Sequence, residues 1–222
     1  MMSWSDQPIH FIDFEGSVGS GILEYGVVTV QGGALIETET RKCRATGRVR
    51  AEDVAVHGLD ESAISKEAPF AGEFERFASL RESGALAAHF AQAENTMIKS
   101  VWPYARETSD FTRPGESTNE WGPWVDTGRL YPQVYPSVES GKLGELVRAF
   151  GLQSELDRVA DLHCPADRCH YHAALYDALA GALLLVRLRQ EAELANQSLA
   201  WLLRMSTLDR TKRESMTQSD LF

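Results

Sequence analysis

Runs of β-branched and aromatic residues near the start of the chain predict three consecutive strands. These runs cover residues 10–15, 22–30 and 34–41. The pair Gly32-Gly33 separates the last two runs, and paired glycines at such a place are typical of tight hairpin turns. We therefore expect an antiparallel meander of three strands at the beginning of the fold.

Beyond residue 50 the apolar positions change to helical spacing and alternate with short extended runs. Phe70, Phe74 and Phe77 recur at helical spacing within 69–82. The segment 106–123 has no periodicity and predicts a surface loop. This order favours an α/β fold in which helices cover a mixed sheet. The other predicted elements are strands at 85–90 and 124–127 and helices at 51–57, 91–101, 142–151, 172–190 and 193–204.

The length and composition are those of a chain with one buried core. With 222 residues, 43% of them hydrophobic, we predict one domain at residues 7–206 and a polar tail at 207–222. The formal net charge of -10 disfavours a protein that holds duplex DNA by bulk electrostatic attraction. One basic group is a candidate for contact with a phosphate backbone, although such groups are usually a solvated strand and loop. Its members are Arg41, Lys42, Arg44, Arg48 and Arg50.

Cysteine usage and the N-terminus predict a reduced, cytoplasmic protein. Cys43, Cys164 and Cys169 cannot all pair within one chain, and the first residues lack the features of a signal peptide. The apolar stretch 178–186 is too short to span a membrane, so no membrane role is expected. The segment 163–170 holds two cysteines and two histidines that suit zinc, but its loose spacing is also compatible with ordinary reduced thiols.

Three segments place acidic side chains beside predicted apolar elements. Asp13 and Glu15 are two positions apart on a strand, so they leave the same face and repel each other unless a cation lies between them. Glu94 follows a strand end, where open α/β sheets bind ligands. Asp177 lies among Ala and Leu residues of a helix and needs a partner or a metal. His172 must lie at or before the first turn of that helix to share a site with Asp177, and an imidazole there suits a general base.

The order and spacing of these segments resemble the DEDDh branch of the RNase H-like 3′-5′ exonucleases. The proofreading epsilon subunit of bacterial DNA polymerase III belongs to that branch. The resemblance covers residues 9–185 approximately and implies a mixed five-stranded sheet, an antiparallel meander followed by parallel strands, flanked by helices. The similar motifs are Asp13-Phe14-Glu15, Val56-His57-Gly58-Leu59, His89 to Glu94, Trp124-Val125-Asp126-Thr127, and His172 to Asp177.

The resemblance also implies a cofactor and a set of site residues. Two divalent ions, Mg²⁺ or Mn²⁺, are expected between Asp13, Glu15, Glu94 and Asp177. His172 is expected to accept the proton of the attacking water. The residues expected to contact the terminal nucleotide are Phe14, Gly16, Ser17, His57, Gly58, Leu59 and His89. Of these, Phe14 and Leu59 are equally compatible with ordinary core positions.

Two positions depart from the family's pattern. The second motif usually ends in Asp and usually has Asn after its His, whereas this chain has Glu94 and Phe90 there. Glu reaches about one methylene further than Asp, so it still suits a metal or its water if the geometry adjusts. Phe90 removes an amide that would be available for hydrogen bonding near the site.

The function implied by the resemblance is hydrolysis of phosphodiester bonds from the 3′ end of DNA, with release of 5′-mononucleotides, in replication or repair. Single-stranded DNA is the expected partner. Two alternatives stay open. One is an RNA-directed 3′-5′ exoribonuclease of the same branch. The other is a catalytically inactive, clamp-associated nucleic-acid-binding module in which Glu94 and Phe90 mark a decayed site.

The last five residues favour DNA among these substrates. They resemble the pentapeptide by which bacterial replication and repair proteins dock on the sliding clamp. In such docking, Leu221 and Phe222 would enter an apolar pocket while Gln218 supplies an oriented hydrogen bond. The alternative is an ordinary polar tail that ends in two apolar residues.

Overall fold

A mixed sheet of five strands forms the centre of the structure, a computed structural model that describes residues 3–113 and 115–207. The strands are β1 (Ile9–Ser17), β2 (Gly21–Gln31), β3 (Ala34–Lys42), β4 (Ala85–Ala88), β5 (Thr108–Ser109), β6 (Ser117–Thr118) and β7 (Val125–Asp126). The order in the sheet is β3-β2-β1-β4-β7, and β5 and β6 pair separately. The first three strands are antiparallel neighbours, whereas β4 and β7 run parallel to β1, which confirms the predicted mixed sheet.

Helices pack on both faces of this sheet. Residues of β1 pack into two different hydrophobic cores. Ile9 and Phe11 pack with the longest described helix, α8 (Ala174–Arg189). Ile12 and Phe14 pack with residues of α3 (Phe74–Ser83) and α4 (Gln92–Val101). The helices of the described residues are α1 (Ala51–His57), α2 (Glu61–Ile64), α3 (Phe74–Ser83), α4 (Gln92–Val101), α5 (Thr127–Val134), α6 (Leu143–Ala149), α7 (Gln153–His163), α8 (Ala174–Arg189), α9 (Ala192–Ala195) and α10 (Leu199–Met205), with short 3₁₀ turns at Trp4–Asp6, Phe70–Glu73 and Ala166–Arg168.

Two glycines allow α8 to lie directly on the sheet. A Cβ atom at Gly26 would lie 2.4 Å from backbone atoms of Ala174, and one at Gly181 would lie 2.0 Å from Cζ of Phe11. Both distances are too short for any side chain, so only glycine permits α8 to approach the β2 backbone and the Phe11 ring this closely. The first turn of α8, which carries Asp177, is therefore held against β2.

Several elements differ from those predicted. The helix expected at 193–204 is interrupted, because the Ser198 side chain accepts a hydrogen bond from the Trp201 N–H and starts α10 anew. The helix expected at 172–190 begins only at Ala174, since His172 has a φ of 65° that no helix allows. Helices α2, α5 and α7 were not predicted.

The segment expected to be a loop, 106–123, also carries more structure than predicted. It contains the β5-β6 pair, and its Trp121 is fully buried. Trp4 lies before the predicted domain start at residue 7, yet it is buried and its Nε1 donates to the Leu194 carbonyl at 2.9 Å. Among the described residues, no helix has both the length and the apolar character needed to cross a membrane.

Candidate active site

The first acids of the site stand at the end of β1. Asp13 and Glu15 share one face of the strand, opposite Phe14, which packs edge-on against Phe70 at a ring distance of 5.4 Å. The pairing register of β1 with β2 shifts directly after Glu15. Gly16 there has a φ of 128°, and a Cβ atom on it would lie 2.3 Å from the Gly21 carbonyl oxygen. Glycine thus permits the bulge that follows the two carboxylates.

Asp177 approaches from the first turn of α8. Its Oδ2 accepts a hydrogen bond of 3.0 Å from the backbone N–H of His172, and its Oδ1 is buried without a partner in the described part of the chain. His172 is exposed, lies just before the helix and therefore occupies the position that the sequence predicts. Ligand atoms of Glu15, His172 and Asp177 all lie within 4.8 Å of one another.

Glu94 approaches from the first turn of α4. The turn before this helix is held by Asp126, whose carboxylate accepts hydrogen bonds from the N–H groups of Phe90 at 2.9 Å and Ala91 at 3.1 Å. Within the described residues, Glu94 Oε2 is buried and has no hydrogen-bond partner. An unpartnered buried carboxylate oxygen is costly, so this one is a position where a cation would be stabilising.

Burial raises the pKa of all four acids, and repulsion between them adds to this effect at three. The pKa of Asp13 is well above its usual range because of burial and the charges of Asp177, Glu15 and Glu94. Burial, together with Asp177 and Glu24, raises the pKa of Glu15 to about 8. Burial raises the pKa of Glu94 to about 8 and that of Asp177 to about 7. The cluster therefore resists full ionisation unless a cation compensates it.

A neutralised ion pair lies directly behind this cluster. Glu24 of β2 binds Arg168 through two hydrogen bonds of 3.1 and 2.6 Å, and both side chains are buried. Arg168 also donates to the carbonyl of His57 at 2.6 Å and to that of His172 at 3.1 Å. Glu24 in turn accepts the N–H of Ala174 at 3.0 Å. This network ties the end of α1, the start of α8 and β2 to one another.

The nucleotide-contact residues predicted from the sequence have mixed environments. Phe14 and Leu59 are buried in core clusters, so the structure favours the core interpretation for both. His89 uses both ring nitrogens internally, with Thr127 Oγ1 at 2.9 Å and the Gly141 carbonyl at 2.7 Å. Contact of these side chains with a nucleotide stays a prediction.

The remaining candidates lie around the end of α1 and the β1-β2 turn. His57 Nδ1 accepts the N–H of Leu59 at 3.0 Å, and His57 Nε2 is buried without a partner in the described residues. Gly58 ends α1 with a φ of 73°. Ser17 exchanges hydrogen bonds with Ser20. His57, Gly58, Gly16 and Ser17 thus lie on segments next to the acids, and their role with substrate is not tested by these contacts.

The basic group of the sequence divides into paired and unpaired members. Arg41 pairs with Glu73, Lys42 with Asp167, and Arg50 with Glu52 and Asp53. Arg44 and Arg48 are exposed and form no salt bridge with any described residue. Arg44 and Arg48 are therefore the members of this group that carry no ion pair in the described residues, and their contact with a phosphate backbone stays a prediction.

The cysteines and histidines of segment 163–170 take no part in the metal-ligand group of the described residues. Within the described ranges, one group of three residues has the spacing to hold a metal ion, and it contains no cysteine. His163 Nδ1 lies 3.1 Å from Thr38 Oγ1, and Cys169 Sγ lies 3.4 Å from the Pro165 carbonyl oxygen. Gln218, Leu221 and Phe222 lie outside the described residues.

Comparison with known proteins identifies similar structures but no similar sequences. No family model matches the chain, and no curated protein matches it. Exonuclease X in complex with 5′-overhanging duplex DNA superimposes with a TM-score of 0.60 at 20% identity, over 88% of this chain and 99% of that one. The nuclease domain of 3′hExo, a DEDDh family member bound to rAMP, gives 0.61 at 15% identity, over 86% and 96%. Escherichia coli exonuclease I in complex with dT13 gives 0.59 at 13% identity, over 82% and 41%.

The chain has the fold of the DEDDh 3′-exonucleases. This similarity confirms the RNase H-like architecture that the motifs predict. A specific relation to the epsilon subunit stays a prediction. At these identities the comparison concerns the fold, so the chemistry has to be argued from the residues of the site.

Sequence reasoning missed three residues that organise the site. Glu24 is a single acid within the apolar run of β2, which is a signal that a buried partner exists. Arg168 lies inside the segment 163–170, whose cysteines and histidines indicate a zinc site, and no local pattern indicates that its partner is Glu24. Asp126 belongs to a recognised motif, but its role as the acceptor for the Phe90 and Ala91 N–H groups follows only from the structure.

Proposed function

We propose that this protein is a divalent-metal-dependent 3′-5′ exonuclease that removes 5′-mononucleotides from the 3′ end of DNA. The observation that carries the proposal is the cluster of Asp13, Glu15, Glu94 and Asp177, none of which forms a salt bridge with a described residue. Two of its buried oxygens, Glu94 Oε2 and Asp177 Oδ1, have no partner among those residues. A cluster that only stabilised the fold would contain its own counter-charge.

The donor set fits Mg²⁺ or Mn²⁺, because both prefer carboxylate oxygens. Asp13, Glu15, Glu94 and Asp177 would hold two such ions, which is the number expected for phosphodiester hydrolysis. When bound, the ions supply Lewis-acid stabilisation of the charge that develops on the phosphoryl and leaving oxygens.

The protein's own residues position the water and move its proton. His172 accepts a proton from the attacking water, whose oxygen forms a bond to phosphorus while the bond to the 3′ oxygen of the preceding nucleotide breaks. That 3′ oxygen leaves and takes a proton from solvent water to become the new 3′ hydroxyl, and His172 later returns its own proton to solvent. Asp177 and Arg168 hold His172 from its backbone N–H and carbonyl, respectively, so the imidazole is presented from a fixed main chain.

DNA is the proposed substrate, in replication or repair. The C-terminal motif with Gln218, Leu221 and Phe222 supports this choice, because sliding clamps act on DNA. Among similar structures, exonuclease X is a complex with duplex DNA, whereas a 3′-exonuclease with a TM-score of 0.62 recognises a histone mRNA stem-loop. RNA is therefore the second candidate, and the fold is compatible with both.

The deciding experiment is digestion of a 5′-labelled single-stranded DNA oligonucleotide and the RNA of the same sequence. Each is incubated with magnesium, with manganese and with chelator, and an Asp13→Ala variant serves as control. We expect a descending ladder on DNA that requires metal and is absent with the variant. A ladder on RNA alone would reassign the substrate. Intact oligonucleotides in every lane would support the inactive binding module instead.

A further inference from the structure

Phe90 has a backbone conformation that phenylalanine rarely adopts. It lies between β4 and α4 with a φ of 59°, in the left-handed region, where Asn is common and bulky residues are not. The two hydrogen bonds that the N–H groups of Phe90 and Ala91 donate to the Asp126 carboxylate hold it there. Strained residues of this kind persist where the surrounding structure over-determines them, often at ligand sites.

The Phe90 ring packs against two glycines, Gly128 and Gly141, where a larger residue would displace it. A Cβ atom at Gly128 would lie 2.7 Å from Cδ1 and Cε1 of the ring, and one at Gly141 would lie 3.4 Å from Cζ. The Arg129 guanidinium carbon lies 5.3 Å from the ring centroid. Even so, Phe90 remains 37% exposed, so these contacts hold the ring without covering it.

This ring borders the acid cluster. The turn that carries Phe90 is held by Asp126, and the Asp126 carboxylate lies close enough to Glu94 for its charge to raise the pKa of that acid. Phe90 follows at the strand end, and Glu94 comes on the next helical turn. A strand whose 3′ end lies between the carboxylates would therefore pass this edge of the sheet.

We propose that the Phe90 ring is a stacking platform for one base of the bound strand and that Arg129 contacts a phosphate beside that base. This inference rests on the proposed function and adds a determinant of strand binding to it. A partly exposed aromatic ring stacks on any base, since every base has a π-face, and the Arg129 guanidinium over the Phe90 ring adds charge attraction. Packing against Gly128 and Gly141 keeps the ring in place before the strand binds.

The first test compares Phe90→Asn with Phe90→Leu. Both remove the ring, but only Asn suits a φ near 59°. We expect Phe90→Asn to melt at a higher temperature than Phe90→Leu, while both raise KM for a single-stranded oligonucleotide by roughly tenfold. Tyr104→Ala is the matched control, because Tyr104 is an exposed aromatic residue beyond the opposite end of α4, and its KM should equal that of the wild type.

The second test replaces one of the last four nucleotides at a time with an abasic residue. Stacking predicts one position at which the abasic substrate raises KM for the wild type and leaves KM of Phe90→Leu unchanged. An equal penalty for both proteins at every position, or a wild-type KM in both Phe90 variants, would overturn the platform. A wild type that neither cleaves nor binds any oligonucleotide would instead overturn the proposed function.

Discussion

Glu15 and Glu24 are opposite each other across β1 and β2, and the fold treats their buried carboxylates in contrasting ways. Glu24 receives two hydrogen bonds from Arg168 and one from the backbone of Ala174. Glu15 shares its surroundings with Asp13 and Asp177, and its pKa is raised to about 8, first by burial and then by Asp177. The charge of Glu24 is thus compensated by an ion pair and a backbone hydrogen bond, whereas Glu15 has no such ion pair with a described residue.

This difference separates a charge that builds the structure from charges kept for a ligand. The ion pair of Glu24 joins three segments of backbone, so it fixes where His57 and His172 lie. The carboxylates around Glu15 do not link backbone segments in this way, and the repulsion between them opposes folding until a cation binds. Isosteric substitutions at the two positions should therefore have opposite consequences.

Glu15→Gln should abolish activity without harming the fold. Loss of a proposed metal ligand should lower kcat/KM by at least about a thousandfold in the digestion assay. In chelator, the free energy of unfolding should equal or exceed that of the wild type, because a negative charge leaves a repulsive cluster. Urea unfolding checks this second point, and a clear loss of stability there would show that Glu15 is structural.

Glu24→Gln should destabilise the fold by about 3–5 kcal/mol, because it leaves the buried Arg168 without its charged partner. Urea unfolding in chelator measures this loss. The double variant Glu24→Gln with Arg168→Met is the control, since removing both charges should recover part of the stability. A loss below about 1 kcal/mol for Glu24→Gln alone would place this pair with surface salt bridges.

The metal-free protein should become less stable as the pH rises from about 5 to 8. Burial raises the folded-state pKa of Glu94 to about 8 and of Asp177 to about 7, both above their ordinary values. In this range the folded state binds more protons than the unfolded state, so the free energy of unfolding falls with pH. Thermal melts in chelator check the direction.

Mn²⁺ sharpens the same measurement. It should raise Tm more at pH 8 than at pH 5, because the ionised cluster binds the cation and the protonated one does not. A change of about 1 kcal/mol corresponds to roughly 2–4 °C in a chain of this size. A metal effect that is equal at both pH values would mean that the cation binds elsewhere.

The sequence alone was enough for the parts of the molecule whose signal is local. Strand periodicity predicted β1, β2 and β3, and the spacing of two residues placed Asp13 and Glu15 on one face. The separation of five residues between His172 and Asp177 predicted a histidine at or before the first turn of α8, and His172, with a φ of 65°, lies just before that helix. These features depend on residues that are neighbours along the chain, so a linear pattern contains them.

Only the tertiary structure decided what each polar residue contacts. The partner of Arg168 is Glu24, 144 positions away, and the glycines that pack against the Phe90 ring come from two other segments. The local pattern indicates that Glu24, a single acid in an apolar strand, needs a partner, but it does not show that the compensation of its charge differs from that of Glu15. The distinction arises because packing brings a cation to one and three further acids to the other, and packing depends on the whole chain.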